Sequence, residues 1–214
     1  PSNLNTIALG HGISVTPIQL VSAYSAIAND GIYVGPKLVS HIVDPEGNMK
    51  ALHGSPPREV LTASTAHQVA DLLTSVVDNG TGEKASVNGY KIAAKTGTSW
   101  KHFSQENSYE LPNGQFDPYL DKNGQRHYTA TVTGFFPAQK PELSMIVIID
   151  DPAPIEEKFY ASHVAAPLFG ELAGWSLRHY QVSPFKEVQL SESNEQASTE
   201  PTGELTLRTD EVSR

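Results

Sequence analysis

Gly89-Tyr90-Lys91-Ile92-Ala93-Ala94-Lys95-Thr96-Gly97-Thr98 is the stretch that decides how this chain folds. Aromatic, β-branched and small apolar residues fill its first half, which favours a strand, and the strand ends in Lys-Thr-Gly-Thr. Each residue of that ending suits acyl-transfer chemistry beside a strand. Lys95 supplies a fixed positive charge for a substrate carboxylate and for tuning nearby hydroxyls. Thr96 and Thr98 offer hydroxyl donors at alternate positions, hence on one strand face. Gly97 carries no side chain, so a ligand backbone can lie against the strand. The backbone N–H of Thr98 can serve as one oxyanion donor. Three letters alone are weak evidence, because average residue frequencies put Lys-Thr-Gly by chance into roughly 5% of chains this long. The surrounding sequence has to decide.

Working outward, residues 13–29 read as a helix with Thr16 as N-cap and Pro17 in the first turn; Ile18, Val21, Tyr24 or Ser25, and Ala28 follow helical spacing. Residues 32–54 read as extended, broken by a turn at Asp44-Pro45-Glu46-Gly47. A second helix is expected from Ala63 to Asp78, capped by Thr62 or Ser64, with Val69, Leu72, Leu73, Val76 and Val77 as its apolar stripe. Asn79-Gly80-Thr81-Gly82 stops it. Strands are expected over 90–98, 129–136 and 143–149, the last apolar enough to be buried on both faces. Between the first two lies a long polar loop, 99–127, of a length that is usually functional or mobile. Its Trp100, Phe103, Tyr109, Phe116 and Tyr119 either line a substrate groove or form the loop's own apolar cluster. A last helix covers 164–180, with Pro167 in its first turn.

Taken in order, these segments resemble one family. Gly10-His-Gly-Ile-Ser-Val-Thr-Pro-Ile-Gln-Leu20, followed by Ala26-Ile-Ala-Asn-Asp-Gly31, is similar to the helix region of class B penicillin-binding proteins, especially the septal cell-division type. The likeness continues through the Gly80–Gly82 turn, the Lys-Thr-Gly-Thr strand, Thr133-Gly-Phe-Phe-Pro-Ala138 and an apolar strand ending in Asp150-Asp-Pro152. It spans residues 3–182. One departure is Ala94, where many relatives have Gly; its methyl removes no catalytic group.

The resemblance implies an α/β (α+β) penicillin-recognition fold, present in part: a mainly antiparallel sheet flanked by helices. Residues 1–186 would form the C-terminal part of the transpeptidase domain. It also implies a serine D,D-transpeptidase that cross-links peptidoglycan stem peptides ending in D-Ala-D-Ala and is the target of β-lactam antibiotics. Lys95 and Thr98 are the expected catalytic residues, and Lys95, Thr96, Gly97 and Thr98 the expected substrate-binding row. Such chemistry needs Ser-x-x-Lys and Ser-x-Asn as well. Ser183-Pro-Phe-Lys186 and Ser86-Val-Asn88 match as strings only. The first trails the last helix instead of opening one, and Asn88 lies about 23 Å from Lys95 if the chain between them is extended. The nucleophile is therefore expected upstream of Pro1, in another part of the same polypeptide. The alternatives are a serine β-lactamase or D,D-carboxypeptidase relative, against which the 12–20 segment speaks, or a non-catalytic cell-wall scaffold module.

Composition sets outer limits. The chain has 214 residues, 38% hydrophobic, enough for one domain with a core. No run of about 18 apolar residues is present and no signal-peptide pattern opens the chain. The expected location is the extracytoplasmic face of the bacterial membrane, with an N-terminal anchor outside this sequence and divisome membrane proteins as partners. The absence of cysteine excludes disulfides and a thiol nucleophile. Of the net charge of −9, residues 187–214 carry seven acids against two bases; this segment reads as an acidic disordered tail. Acidity argues against nucleic-acid binding. The eight histidines are scattered without ligand spacing, so no metal and no cofactor is expected. Asp150 and Asp151 point to opposite faces of an extended strand and read as a turn or local cap.

Overall fold

The computed structural model describes residues 4, 7, 10, 12–52, 54–153 and 158–184. Its elements run from α1 (Pro17–Ala28) through β1 (Ile32–Tyr33), β2 (His41–Val43), β3 (Met49–Ala51) and β4 (Arg58–Glu59) to α2 (Ala63–Asn79). Then come β5 (Ala93–Trp100), β6 (Ser108–Glu110), β7 (Phe116–Asp121), β8 (Tyr128–Phe136), β9 (Leu143–Asp150), α3 (Ala161–Val164) and α4 (Ala166–His179). The tail expected over 187–214 lies outside the described residues.

The centre is an antiparallel sheet in the order β5-β8-β9. Strand alternation sorts its side chains cleanly onto two faces. Ala94, Ala130, Val132, Phe136 and Val147 meet α3 and α4 through Val164, Phe169, Ala173 and Leu177. Phe136 sets its ring edge-on to Phe169 at 5.9 Å. On the opposite face Ala93 and Phe135 meet Leu73, Val69 and Ala70 of α2 and Tyr24 and Ile27 of α1. Helices therefore cover both faces of an antiparallel sheet, as expected.

Helix α1 opens at Pro17 rather than residue 13, because Thr16 and Gln19 form a reciprocal capping box that fixes the start. Its buried positions are Ser22 and Ala26, whereas Ile18 of the expected stripe is 49% exposed. The α2 stripe is likewise narrower than expected. Adjacent residues on a helix are about 100° apart, so Leu73 is buried while Leu72 points outward, 68% exposed. The C-terminal helix begins earlier than residue 164, as the short α3, and continues as α4 with Pro167 in its first turn.

Two strand expectations need correction. Strand β9 is not buried on both faces: it is an edge strand among the described residues, and Ile148 is 43% exposed. The segment 99–127 is not a structureless loop. Strand β5 runs on to Trp100, and β6 and β7 pair as a hairpin beyond it. Two tight turns with Gly114 and Gly124 at positive φ supply the geometry, and Phe116, Tyr119 and Leu120 make β7 a good strand.

Candidate active site

Ala94 and Gly134 are cross-strand partners under the start of the Lys-Thr-Gly-Thr row. A Cβ on Gly134 would lie 2.3 Å from the Ala93 carbonyl oxygen and 2.6 Å from the Ala94 Cβ, so position 134 has no room for a methyl whatever residue stands at 94. From there Lys95, Thr96, Gly97 and Thr98 face Thr133, Val132, Thr131 and Ala130 in continuous register. All four lie on β5, whose other edge is unpaired among the described residues.

Alternation puts Lys95 on the α1/α2 side and Thr96 with Thr98 on the α3/α4 side. Lys95 is exposed, and its Nζ donates to the Thr96 carbonyl oxygen at 2.8 Å. Beside it sits Thr133, 2% exposed, whose Oγ1 has no partner among the described residues. Thr98 Oγ1 accepts the backbone N–H of Ala161 at 3.0 Å. That N–H opens α3, where the N-cap Tyr160 offers no side-chain acceptor, so Thr98 satisfies a helix-end donor across the fold. Thr96 Oγ1 lies 2.7 Å from Thr81 Oγ1, in the Gly80–Gly82 turn after α2. A Cβ placed on Gly97 would meet nothing within 4 Å. The row is thus a surface open to a ligand.

Next along the same strand face is Trp100. The Tyr119 ring meets it edge-on at 5.7 Å and the Arg126 guanidinium lies 3.9 Å above it. Across the strand Tyr128 stacks on Phe159 at 3.8 Å. Phe103 packs edge-on against His127 at 5.5 Å. Of the aromatic residues in segment 99–127, Trp100 and Tyr119 pack on each other and Phe103 packs on His127, and Trp100 borders the threonine row.

The hairpin is clasped to the end of β9. Lys101 Nζ meets Asp150 Oδ2 at 2.6 Å, and the Thr129 hydroxyl donates to Asp150 Oδ1 at 3.2 Å. His127 lies between Asp151, at 2.7 Å, and Asp121, at 3.3 Å. The hydrogen bond with Asp150 raises the Lys101 pKa, and the same bond lowers that of Asp150. Asp151 first and then Asp121 raise the pKa of His127 above its ordinary value. Backbone N–H donation from Gln125, with the His127 bond, lowers that of Asp121. The adjacent acids Asp150 and Asp151 thus serve two separate ion pairs, in keeping with a local structural role.

The two look-alike strings lie elsewhere. Ser86 and Asn88 line a groove of about 790 Å³ with Gly170, Trp175 and Arg178 of α4. Ser183 borders a second groove with Pro137 and Tyr180, and Lys186 lies outside the described residues. Neither groove includes Lys95 or Thr98. The site residue that the sequence did not single out is Thr81. Its signal was a β-branched hydroxyl residue between two glycines, directly after α2.

Residues 2–174 match the penicillin binding protein transpeptidase domain. The chain is 34% identical over 188 residues to stage V sporulation protein D of Bacillus subtilis, covering 87% of this chain and 26% of that protein. It is 33% identical over 180 residues to peptidoglycan D,D-transpeptidase FtsI of Escherichia coli, covering 84% and 26%. Among solved structures, penicillin-binding protein 3 from Mycobacterium tuberculosis complexed with aztreonam aligns with a TM-score of 0.65 at 31% identity, over 83% of this chain and 38% of that one. The chain belongs to the penicillin-binding protein transpeptidase domain family. It spans about a quarter of the length of these curated relatives.

Proposed function

We propose that these residues are the C-terminal part of a peptidoglycan D,D-transpeptidase and form one wall of its catalytic cleft. The observation that carries this is the open row Lys95–Thr98 on a free strand edge, with cationic, hydroxyl and side-chain-free positions in sequence. Lys95 and Thr98 leave opposite faces of β5, so they share a ligand at its free edge. Lys95, whose long side chain already folds back to the Thr96 carbonyl oxygen, holds the carboxylate of a stem peptide ending in D-Ala-D-Ala, or of a β-lactam, and Thr98 donates a hydrogen bond to it from the other side. Gly97 leaves room for the ligand backbone. A serine elsewhere in the complete polypeptide attacks the peptide carbonyl, D-Ala leaves, and an amine of a neighbouring stem peptide resolves the acyl-enzyme. The names of relatives support this: FtsI is a peptidoglycan D,D-transpeptidase, and aztreonam occupies the M. tuberculosis neighbour.

The remaining polypeptide is also the natural cover for the free edge of β9. Between that edge and α1 lies a groove of about 410 Å³ lined by Ile18, Val21, Pro141 and Leu143. No helix among the described residues is long and apolar enough to cross a membrane. Extracytoplasmic placement follows from the proposed reaction, whose substrate lies outside the cytoplasm; an anchoring segment elsewhere in the polypeptide and divisome membrane partners are part of the same proposal.

The test is to label the complete polypeptide with a fluorescent penicillin and map the adduct by peptide mass spectrometry. The adduct is expected on a serine outside these 214 residues, and these residues expressed alone should take no label. An adduct on Ser183, lost in Ser183→Ala, would overturn the assignment of the nucleophile.

A further inference from the structure

Both hydroxyls of the proposed carboxylate row are held from behind by groups outside the strand. A threonine hydroxyl has one proton to donate and two lone pairs to accept with. At Thr98 a lone pair is already taken by the Ala161 N–H, 3.0 Å away, so its proton is turned elsewhere. At Thr96 the second group is Thr81, whose Oγ1 lies 2.7 Å off. In that pair either oxygen can be the donor. A carboxylate changes this, because an ionised carboxylate only accepts. Thr96 must then give its proton to the ligand, and only Thr81 can donate into the lone pair that remains turned towards it.

We propose that Thr81 is a positioning residue: its hydroxyl donates to Thr96 and thereby commits the Thr96 proton to the carboxylate of the bound ligand. The proposal rests on the carboxylate-binding reading of Lys95–Thr98. The series Thr81 O–H···Thr96 O–H···carboxylate is a chain in which each bond polarises the next. It parallels the Ala161 N–H···Thr98 O–H arrangement two residues on. Thr81 is held in place for this by its turn. Gly82 N–H donates to the Val76 carbonyl oxygen at 2.9 Å, and a Cβ on Gly80 would press on that same oxygen at 2.9 Å. The Gly-Thr-Gly turn thus folds tightly against the end of α2 and delivers one hydroxyl to β5. Thr81 itself touches no ligand in this scheme.

The measurement is the ratio of acylation rate constants for benzylpenicillin and its methyl ester, taken on the complete polypeptide. The ester lacks the anion, and a ratio on one preparation cancels any loss of folded protein. In Thr81→Val, which keeps the shape and removes the hydroxyl, the acid-to-ester ratio should fall about three- to tenfold, the range of one net hydrogen bond. Thr81→Ser should hold the ratio within about twofold of the parent. Lys95→Ala, measured alongside, should collapse it. If Lys95→Ala collapses the ratio while Thr81→Val leaves it unchanged, Thr81 is only a turn residue and the inference fails alone. If neither changes the ratio, the carboxylate reading fails and takes this inference with it. If Thr81→Val slows acid and ester equally, the hydroxyl supports the fold rather than the anion, which also overturns the proposal.

Discussion

Replacing Lys95 by alanine in the complete protein separates a binding role from a structural one, and the structure sets the size of both. The side chain is exposed, and its one hydrogen bond among the described residues is a 2.8 Å contact with the Thr96 carbonyl oxygen. Losing an exposed bond of this kind costs at most about 1 kcal/mol of stability, and the carbonyl left behind can be solvated. Against a ligand carboxylate the same ammonium makes a charge-assisted bond worth about 1.5–3 kcal/mol. At about 1.4 kcal/mol per decade, Lys95→Ala should slow acylation by roughly 10- to 100-fold while the melting temperature moves little.

The assay is the second-order rate constant of acylation by a chromogenic cephalosporin. The choice of control matters. Lys101 is near in sequence but unsuitable, since its 2.6 Å bond to Asp150 ties the chain just past β5 to the end of β9. Lys122 sits exposed in the turn after β7 and is the better one. Lys122→Ala should remain within about twofold of the parent, the scatter typical of neutral surface changes. If Lys95→Ala matches the parent, or Lys122→Ala slows acylation as much, the row is not a carboxylate site.

Three further outcomes follow from the same geometry. Gly134→Ala drives a methyl against the Ala93 carbonyl oxygen and the Ala94 Cβ and should cost about 1–3 kcal/mol in a melt. Gly97→Ala, with open space above it, should leave the melt unchanged yet slow acylation; equal melting losses for the two would refute the open row. The raised pKa of His127 contributes stability that is full below its unfolded value and is lost as pH rises through the folded one. His127→Gln should therefore cost more stability at pH about 5.5 than at about 8.5, and a pH-independent difference would rule out the clasp as an ion pair. Residues 1–214 expressed alone should aggregate through the uncovered α1–β9 side, where Ile18 and Ile148 are exposed. A sharp, cooperative melt of a monomer would contradict this.

What the sequence reveals and what it hides divides along the range of the forces involved. Local signals are legible: the Thr16 and Thr62 caps and the turn after Val43 appear where side-chain chemistry places them. The Lys-Thr-Gly-Thr row is legible for the same reason, being continuous in sequence. Burial is less so. Leu143–Ile149 is apolar enough for a strand covered on both sides, but coverage depends on a neighbour that periodicity cannot supply. Segment 99–127 hides its hairpin because Trp100, Tyr119 and Arg126 become partners only when the chain doubles back. Thr81 is hidden by distance, lying 15 positions from Thr96.

The placement of the site on β5 explains why so much of it reads from one short segment while its chemistry does not complete itself. A strand edge sends alternate side chains to opposite faces, so Lys95 reaches towards the α1/α2 side and the two threonines towards α3 and α4. The threonine side is finished within this chain: Thr81 and the Ala161 N–H support the hydroxyls, and Trp100 borders them. The lysine side is not. Among the described residues Lys95 has only a neighbouring carbonyl for company, and the buried Thr133 hydroxyl next to it lacks a partner. Leaving a buried hydroxyl unbonded costs about 1–3 kcal/mol, so that face is where a further donor or acceptor gains most by arriving. A nucleophile that must approach both Lys95 and the carbonyl of a ligand lying over Gly97 would come from the same side. The unfinished polar surface and the proposed direction of attack therefore coincide, as they should if the rest of the catalytic serine's machinery is held by the remainder of the polypeptide.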